Sequence, residues 1–398
     1  MAWVKNRVLL LLLAMGAAAA SGLAFLTHAP NRLVSGVSIS LAEALMGGDG
    51  AWRVCSLLSI VLPAVLLGAA IFMRGSWASR LMVIMAAALL LAGLAYLAGA
   101  EAKRLASADL ASSIERTSLG GAFWVLSALA WLAAGDAIAH LGLRPVWRLA
   151  AGAAVIAPVL ACMATGLLDQ LSLLKEYANR ADLFNAALLQ HVQIVLASLL
   201  PSLLIGVPLG IASVREGRWM TALRAPLFAS LNIIQTIPSI ALFGLLMAPL
   251  ALLATSLPLL AQWGIKGVGM APAVIALTLY SLLPIVRSTA AGMSQVPRPV
   301  IDAALGIGLT ARQVLWKVEL PLALPVFIAG LRVATVQTIG MAVVAALIGA
   351  GGFGAIMFQG LLGGALDLVL LGVVPVVAMA IAVDALLKTL ASSLAHEF

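Results

Sequence analysis

Apolar stretches of about 20 residues with few or no charged side chains recur along the whole chain, each long enough to cross a hydrocarbon layer of about 30 Å as a helix. They place helices near 8–27, 54–73, 81–100, 118–140 and 149–168, then near 190–213, 226–248, 268–288, 325–348 and 367–388. The expected fold is therefore an all-α polytopic membrane protein of about ten transmembrane helices. The first stretch follows Lys5 and Arg7, and its length favours a retained anchor over a cleaved signal sequence.

Composition agrees: 63% of the 398 residues are hydrophobic and only 10% are charged, against roughly 25% in an ordinary soluble domain. The formal net charge of +8 is spread as single or paired Arg and Lys between apolar runs, the pattern of topology signals rather than of a nucleic-acid surface. Cys55 and Cys162 both lie inside apolar runs, which argues against a structural disulfide or a metal site.

Basic residues near helix ends set the orientation. With Lys5 and Arg7 inside and ten crossings, Arg74 and Arg80, Arg144 and Arg148, Arg215, Arg218 and Arg224, Arg298, Arg312 and Lys317, and Lys388 all face the cytoplasm, as do both termini. Lys103, Arg104 and Arg116 are exceptions that share an outer loop with Glu101, Asp109 and Glu115. The uncharged run Ala225 to Ile265 is too long for one span, and Pro238, Pro249 and Pro258 break it. It reads as one crossing plus an outer re-entrant or interfacial piece. The most polar long interval, 169–189, reads as an amphipathic periplasmic connector between a five-span region, 1–168, and the rest of the chain, 190–398.

Within the second region a cytoplasmic loop, 291–321, has the chemistry of a helical hairpin at the membrane face. Pro297 and Pro299 favour a helix start at Val300, Asp302 suits the positive end of its dipole, and Gly306 and Gly308 can end it. Thr310 and Gln313 have capping-box spacing, so a second helix is expected from Ala311 to Glu319 before Pro321 stops it. Ala303 and Ala304 would permit close approach of a partner, and Arg312 and Lys317 would supply charge.

This loop resembles the cytoplasmic signature of ABC importer permeases, which is Glu-Ala-Ala, three residues, Gly, nine residues, Ile, one residue, Leu-Pro. The chain matches at Asp302, Ala303, Ala304, Gly308, Val318, Leu320 and Pro321, with Asp for Glu and Val for Ile. The resemblance covers roughly 190–398 and implies a type I ABC importer permease core. "NIIQTIPSIALFGLL" from Asn232 and "IGAGGFG" from Ile348 look like the subgroup importing quaternary-ammonium osmoprotectants such as glycine betaine, choline or carnitine. The resemblance implies a bacterial inner-membrane subunit that pairs with a second permease subunit, identical or not. It also implies cytoplasmic ATPase subunits carrying ATP and Mg²⁺, and a periplasmic binding protein delivering the solute.

The residues fit that division of labour. No lysine sits in a G-x-x-x-x-G-K-[ST] phosphate loop, and Gly349 to Gly354 fits G-x-G-x-x-G without the strand that a dinucleotide site needs. No nucleophile and base or metal-ligand cluster is spaced for chemistry, so the chain is expected to be neither an enzyme nor a cofactor carrier. Asn232, Gln235 and Thr236 before Pro238, with Gln337 and Thr338 later, are the candidates for lining a pathway, helix–helix hydrogen bonding being the competing role. Arg332 is expected to snorkel inward, Asp384 to pair with Lys388 one turn on, and His191 to be interfacial. Asp136 and His140, one turn apart, suggest either a structural pair or the proton relay of an ion-coupled secondary transporter.

Overall fold

A computed structural model describes residues 5–31, 36–48, 50–73, 75–108, 115–215, 218–262 and 264–394; Arg74 and Asp109 lie outside them. The chain forms two compact units, Met1–Asn179 and Arg180–Phe398.

The N-terminal unit contains α1 (Arg7–Gly22), β1 (Leu26–Ala29), β2 (Val37–Ile39), α2 (Leu41–Met46), α3 (Gly50–Phe72), α4 (Trp77–Ala108), β3 (Arg116–Leu119), α5 (Gly121–His140), α6 (Pro145–Ala164) and α7 (Ser172–Asn179). Helix α4 packs on α3, α5 and α6, and alanines carry much of the contact: Ala86, Ala87, Ala98, Ala130 and Ala134 are buried. Small side chains let the helix backbones approach closely, which is where packing energy comes from in lipid. The first span is shorter than its apolar stretch. Helix α1 stops at Gly22 because Leu26–Ala29 pairs as a strand, antiparallel with β2 on one edge and β3 on the other. The N–H of Lys5 bonds the carbonyl of Ile71 at the end of α3 (3.0 Å), whereas β1 leads into the sheet from which α5 departs.

Two of the three outer basic exceptions lie beside a buried carboxylate. Arg104 makes a two-pronged contact with buried Glu101 (2.6 and 2.8 Å), and Arg116 lies 3.5 Å from buried Glu176. The polar interval is no uniform connector either. Residues 172–179 form α7, and those from Ala181 onward are the first turns of a long span.

The C-terminal unit contains α8 (Ala181–Val214), α9 (Arg218–Thr236), α10 (Ser239–Ser256), α11 (Pro258–Gln262), α12 (Met270–Ser294), α13 (Arg298–Gly306), α14 (Ala311–Val314), a π-turn (Leu315–Glu319), α15 (Leu320–Val344), a 3₁₀ turn (Ala345–Ile348), α16 (Phe353–Leu362) and α17 (Leu366–Leu394). Helix α12 is the hub, packing on α8, α15, α9 and α10, while α17 packs on α15 and α16. Its seam with α8 is built on "GVPLG". A Cβ at Gly206 would lie 2.8 Å from the Ile285 side chain, and one at Gly210 2.5 Å from that of Thr289. Hydroxyls add cross-links in both directions, from Ser202 to the Thr278 carbonyl and from Thr278 to the Ser198 carbonyl, each 3.1 Å.

Among the described residues, nine helices are long and apolar enough to cross a membrane, α10 included. The ambiguous run Ala225–Ile265 makes one broken crossing. Helix α9 runs antiparallel to α12, from Asn232 beside Arg287 to Ile237 beside Tyr280, and α10 continues the same way until Met247 and Ala251 meet Gly267. The break falls at Ile237 and Pro238, where proline cannot donate to the helix ladder.

Candidate functional site

The segment after α12 folds as a compact bent knob. Pro297 caps α13, which starts at Arg298, two residues earlier than the sequence suggested, so Asp302 sits beyond the first turn. Helix α13 ends at Gly306, and Gly308 takes φ +90°, a conformation costing an L-residue roughly 1–2 kcal/mol. The chain then turns and Leu309 N–H reaches back to the Ala304 carbonyl (3.2 Å). The Thr310 and Gln313 capping box is present in both directions, at 3.4 and 2.8 Å.

Two expectations fail here for physical reasons. Ala304 is buried within the knob, so Ala303 alone of that pair faces outward. Pro321 does not stop the second helix. The N–H of Leu320 bonds the carbonyl of Leu315, five residues back, and this π-turn widens the helix just where proline enters without an N–H. Residues Ala311–Ile348 are consequently one continuous helical rod of 38 residues, so the second arm of the knob is the inner end of a membrane span. Leu320 and Pro321 are half-buried at the join, whereas Asp302, Gly308, Arg312 and Lys317 are exposed.

Sequence reasoning missed two features of this knob. One is an exposed apolar cap, with Ile307 81% and Trp316 63% accessible beside Leu305 and Val300. Large apolar side chains on a polar-rimmed protrusion mark a contact surface. The other is the bracing of the knob. Arg215, at the end of α8, grips both oxygens of buried Glu319 in the π-turn, with Nη1 to Oε1 at 3.2 Å and Nη2 on Oε2. The partners are 104 residues apart, so no local pattern signals them.

The polar groups at membrane depth fall into separate clusters. Along the broken crossing, Asn232 accepts from Arg287 (2.7 Å) and Gln235 donates to the Tyr280 carbonyl (2.9 Å). Tyr280 in turn donates to the Ile237 carbonyl at the helix break, so that carbonyl is capped rather than open to a route. Thr236 bonds its own helix at Ile233 (2.7 Å). Thr338 is buried between α15 and α12, where it meets Ser281 (2.8 Å), and Gln337 approaches Met341 (3.6 Å). Arg332 pairs with Asp384 at 2.5 Å, joining α15 to α17 in place of the expected Asp384–Lys388 pair.

His191 is fully buried rather than interfacial, and its Nε2 contacts the Ile339 carbonyl at 3.1 Å. It stacks near Phe353 beside the glycine-rich turn, where Gln190 accepts from the Gly352 N–H (3.0 Å). A Cβ at Gly351 would lie 2.3 Å from that glutamine oxygen, so these glycines serve internal packing.

Residues 202–396 match the family described as the binding-protein-dependent transport system inner membrane component, and residues 5–174 match the N-terminal domain of the ABC transporter permease YehY. Over 201 residues the chain is 40% identical to the osmoprotectant import permease protein OsmW of Salmonella typhimurium, an alignment covering 50% of this chain and 86% of that one. This chain belongs to the binding-protein-dependent transport permeases. The permease is also 37% identical to the glycine betaine/carnitine/choline transport system permease protein OpuCB of Bacillus subtilis, over 49% of this chain and 81% of that one. It is 38% identical, with the same coverage, to the choline transport system permease protein OpuBB of that organism.

The permease is thus a multi-pass inner-membrane transport subunit of ABC importer type and not an enzyme. Membership does not favour the secondary-transporter reading. In the structure His140 Nδ1 donates to the backbone carbonyl of Asp136 (2.8 Å) and lies 3.5 Å from its carboxylate, a local helix-end contact. Among the described residues no group of three or more His, Cys, Asp or Glu is placed to hold a metal ion.

Proposed function

We propose that the permease forms, with a second permease subunit, the membrane pathway of an ATP-driven importer for a small quaternary-ammonium osmoprotectant such as glycine betaine. ATP and Mg²⁺ reside on cytoplasmic ATPase subunits, and a periplasmic binding protein delivers the solute. The knob formed by α13, α14 and the π-turn is the surface on which an ATPase subunit seats, with Ile307 and Trp316 as apolar contacts and Asp302, Arg312 and Lys317 around them. The observation that carries this reading is the unbroken rod Ala311–Ile348. A force applied at Arg312 reaches the middle of the bundle without passing through a flexible loop. Displacement of α15 then shifts α12 and α17, which pack on it, and alternates access along the broken crossing near Asn232, Gln235, Thr236 and Pro238. Substrate choice follows the relatives, which are osmoprotectant, glycine betaine/carnitine/choline and choline permeases, and both the knob and the broken crossing lie within the family match at residues 202–396.

The test is reconstitution of the permease with its ATPase and binding protein in nanodiscs. Glycine betaine or choline, presented by the binding protein, is expected to raise ATP turnover several-fold. Equal turnover with and without these solutes would reject the substrate class. Uptake that persists without the ATPase and collapses with the proton gradient would reject the ATP-driven reading.

A further inference from the structure

The N-terminal unit holds a cavity of about 840 Å³, a size suited to a small-molecule ligand. Its walls come from the start of β3, the end of α6 and the length of α7, and an isolated bridge between Thr117 and Leu171 ties these segments together. By the orientation of the basic residues, α4 and α6 both end on the outer side, so the cavity belongs to the periplasmic face.

Its lining combines both signs of charge. Arg116 and Lys175 supply two cations. The Arg116 side chain is 14% exposed; it reaches Glu176 through Nη2 at 3.5 Å, yet its Nε is buried without a hydrogen-bond partner. Lys175 is held below the ordinary lysine pKa, first by burial and then by the neighbouring Arg116 charge, with Glu115 offsetting part of the effect. These two cations are incompletely neutralised by the protein itself. Glu115 and Asp169 add carboxylates, Gln170 and Asn179 add neutral amides, and Tyr177 adds a partly exposed aromatic ring beside apolar lining that includes Leu174. A simple anion would answer the cations and face the carboxylates; a simple cation would do the reverse. One molecule carrying both charges answers both.

We propose that this cavity is a binding site for a small zwitterion, separate from the transport pathway, whose carboxylate meets Arg116 and Lys175 and whose ammonium meets Asp169 and the face of Tyr177. The ligand class follows from the charges of the cavity, not from the relatives' substrates. The site gives the N-terminal unit a solute-binding role of its own.

Calorimetry on the purified full-length permease, without ATPase or binding protein, tests this with glycine, glycine betaine, acetate and choline as probes. At least one of the two zwitterions is expected to bind saturably. Lys175→Gln weakens that binding and any acetate binding by about tenfold or more, as loss of a charge-assisted contact requires. Asp169→Asn weakens the zwitterion and leaves acetate unchanged. Matching thermal unfolding of the three unliganded proteins shows that the variants are folded, and the two substitutions sit on different segments, so one survives if the other destabilises the unit. No saturable zwitterion binding up to about 10 mM, or binding that neither substitution alters, overturns the proposal. Either failure leaves the transport reading intact, because that reading is measured by ATP turnover through the binding protein.

Discussion

Arg215→Ala separates ATP turnover from transport. The substitution leaves the Glu319 carboxylate, 5% exposed, without its guanidinium partner. Removing one member of a buried, hydrogen-bonded pair costs roughly 3 kcal/mol or more, and the value falls at the low end here because the Arg215 side chain is 42% exposed. The π-turn at Leu315–Glu319 gives way first, since its ladder is already widened around Pro321. The knob then moves without dragging the end of α8. Expected results are normal membrane insertion, a lowered unfolding temperature, basal ATP hydrolysis retained in the assembled complex, and solute uptake reduced at least about tenfold. The exchange Arg215→Glu with Glu319→Arg recovers part of the uptake, because it restores opposite charges across the same gap. Uptake unchanged by Arg215→Ala would remove this pair from the coupling route.

Gly210→Leu has a larger structural effect. The first added atom already lies 2.5 Å from the Thr289 Cβ and 2.9 Å from the Val286 carbonyl, so α8 and α12 must separate. Overpacking of a close helix crossing costs about 1–3 kcal/mol or more, and here it also pulls apart the reciprocal Ser202 and Thr278 bonds. The permease is expected to lose most of its monodisperse yield in detergent and several degrees of thermal stability. Leu204→Ala on the same helix is the control. Leu204 is 75% exposed on the outside of the bundle, and its loss changes little.

Much of this architecture is legible in the sequence because lipid imposes simple rules. Nine of the ten expected passes contain a helix long and apolar enough to cross a membrane among the described residues, and the broken crossing follows from Pro238 in an overlong run. The Thr310 capping box and the Gly308 turn are local signals, and each forms the local structure its spacing implies. The misses are non-local or too short to show a period. Strands of three or four residues such as Val37–Ile39 carry no alternation that stands out from a loop. Pro321 carries the usual helix-stop meaning, and only the five-residue hydrogen bond at Leu315 reveals why the helix continues. Arg215 with Glu319, and Arg332 with Asp384, are partners that tertiary packing alone brings together. The outward placement of Ile307 and Trp316 depends on the bend of the knob, which the sequence indicates without showing which side chains it exposes.

Transport by this permease depends on a knob that faces the cytoplasm and moves α15 as one body. A single cysteine at Arg312, in a protein whose Cys55 and Cys162 have been replaced, reports on both parts when treated with a bulky membrane-impermeant maleimide. Labelling is expected only from the cytoplasmic face, with ATP-driven uptake lost once the probe blocks the seat of the ATPase subunit. Labelling only from the periplasmic face, or full uptake by the labelled protein, would contradict this dependence.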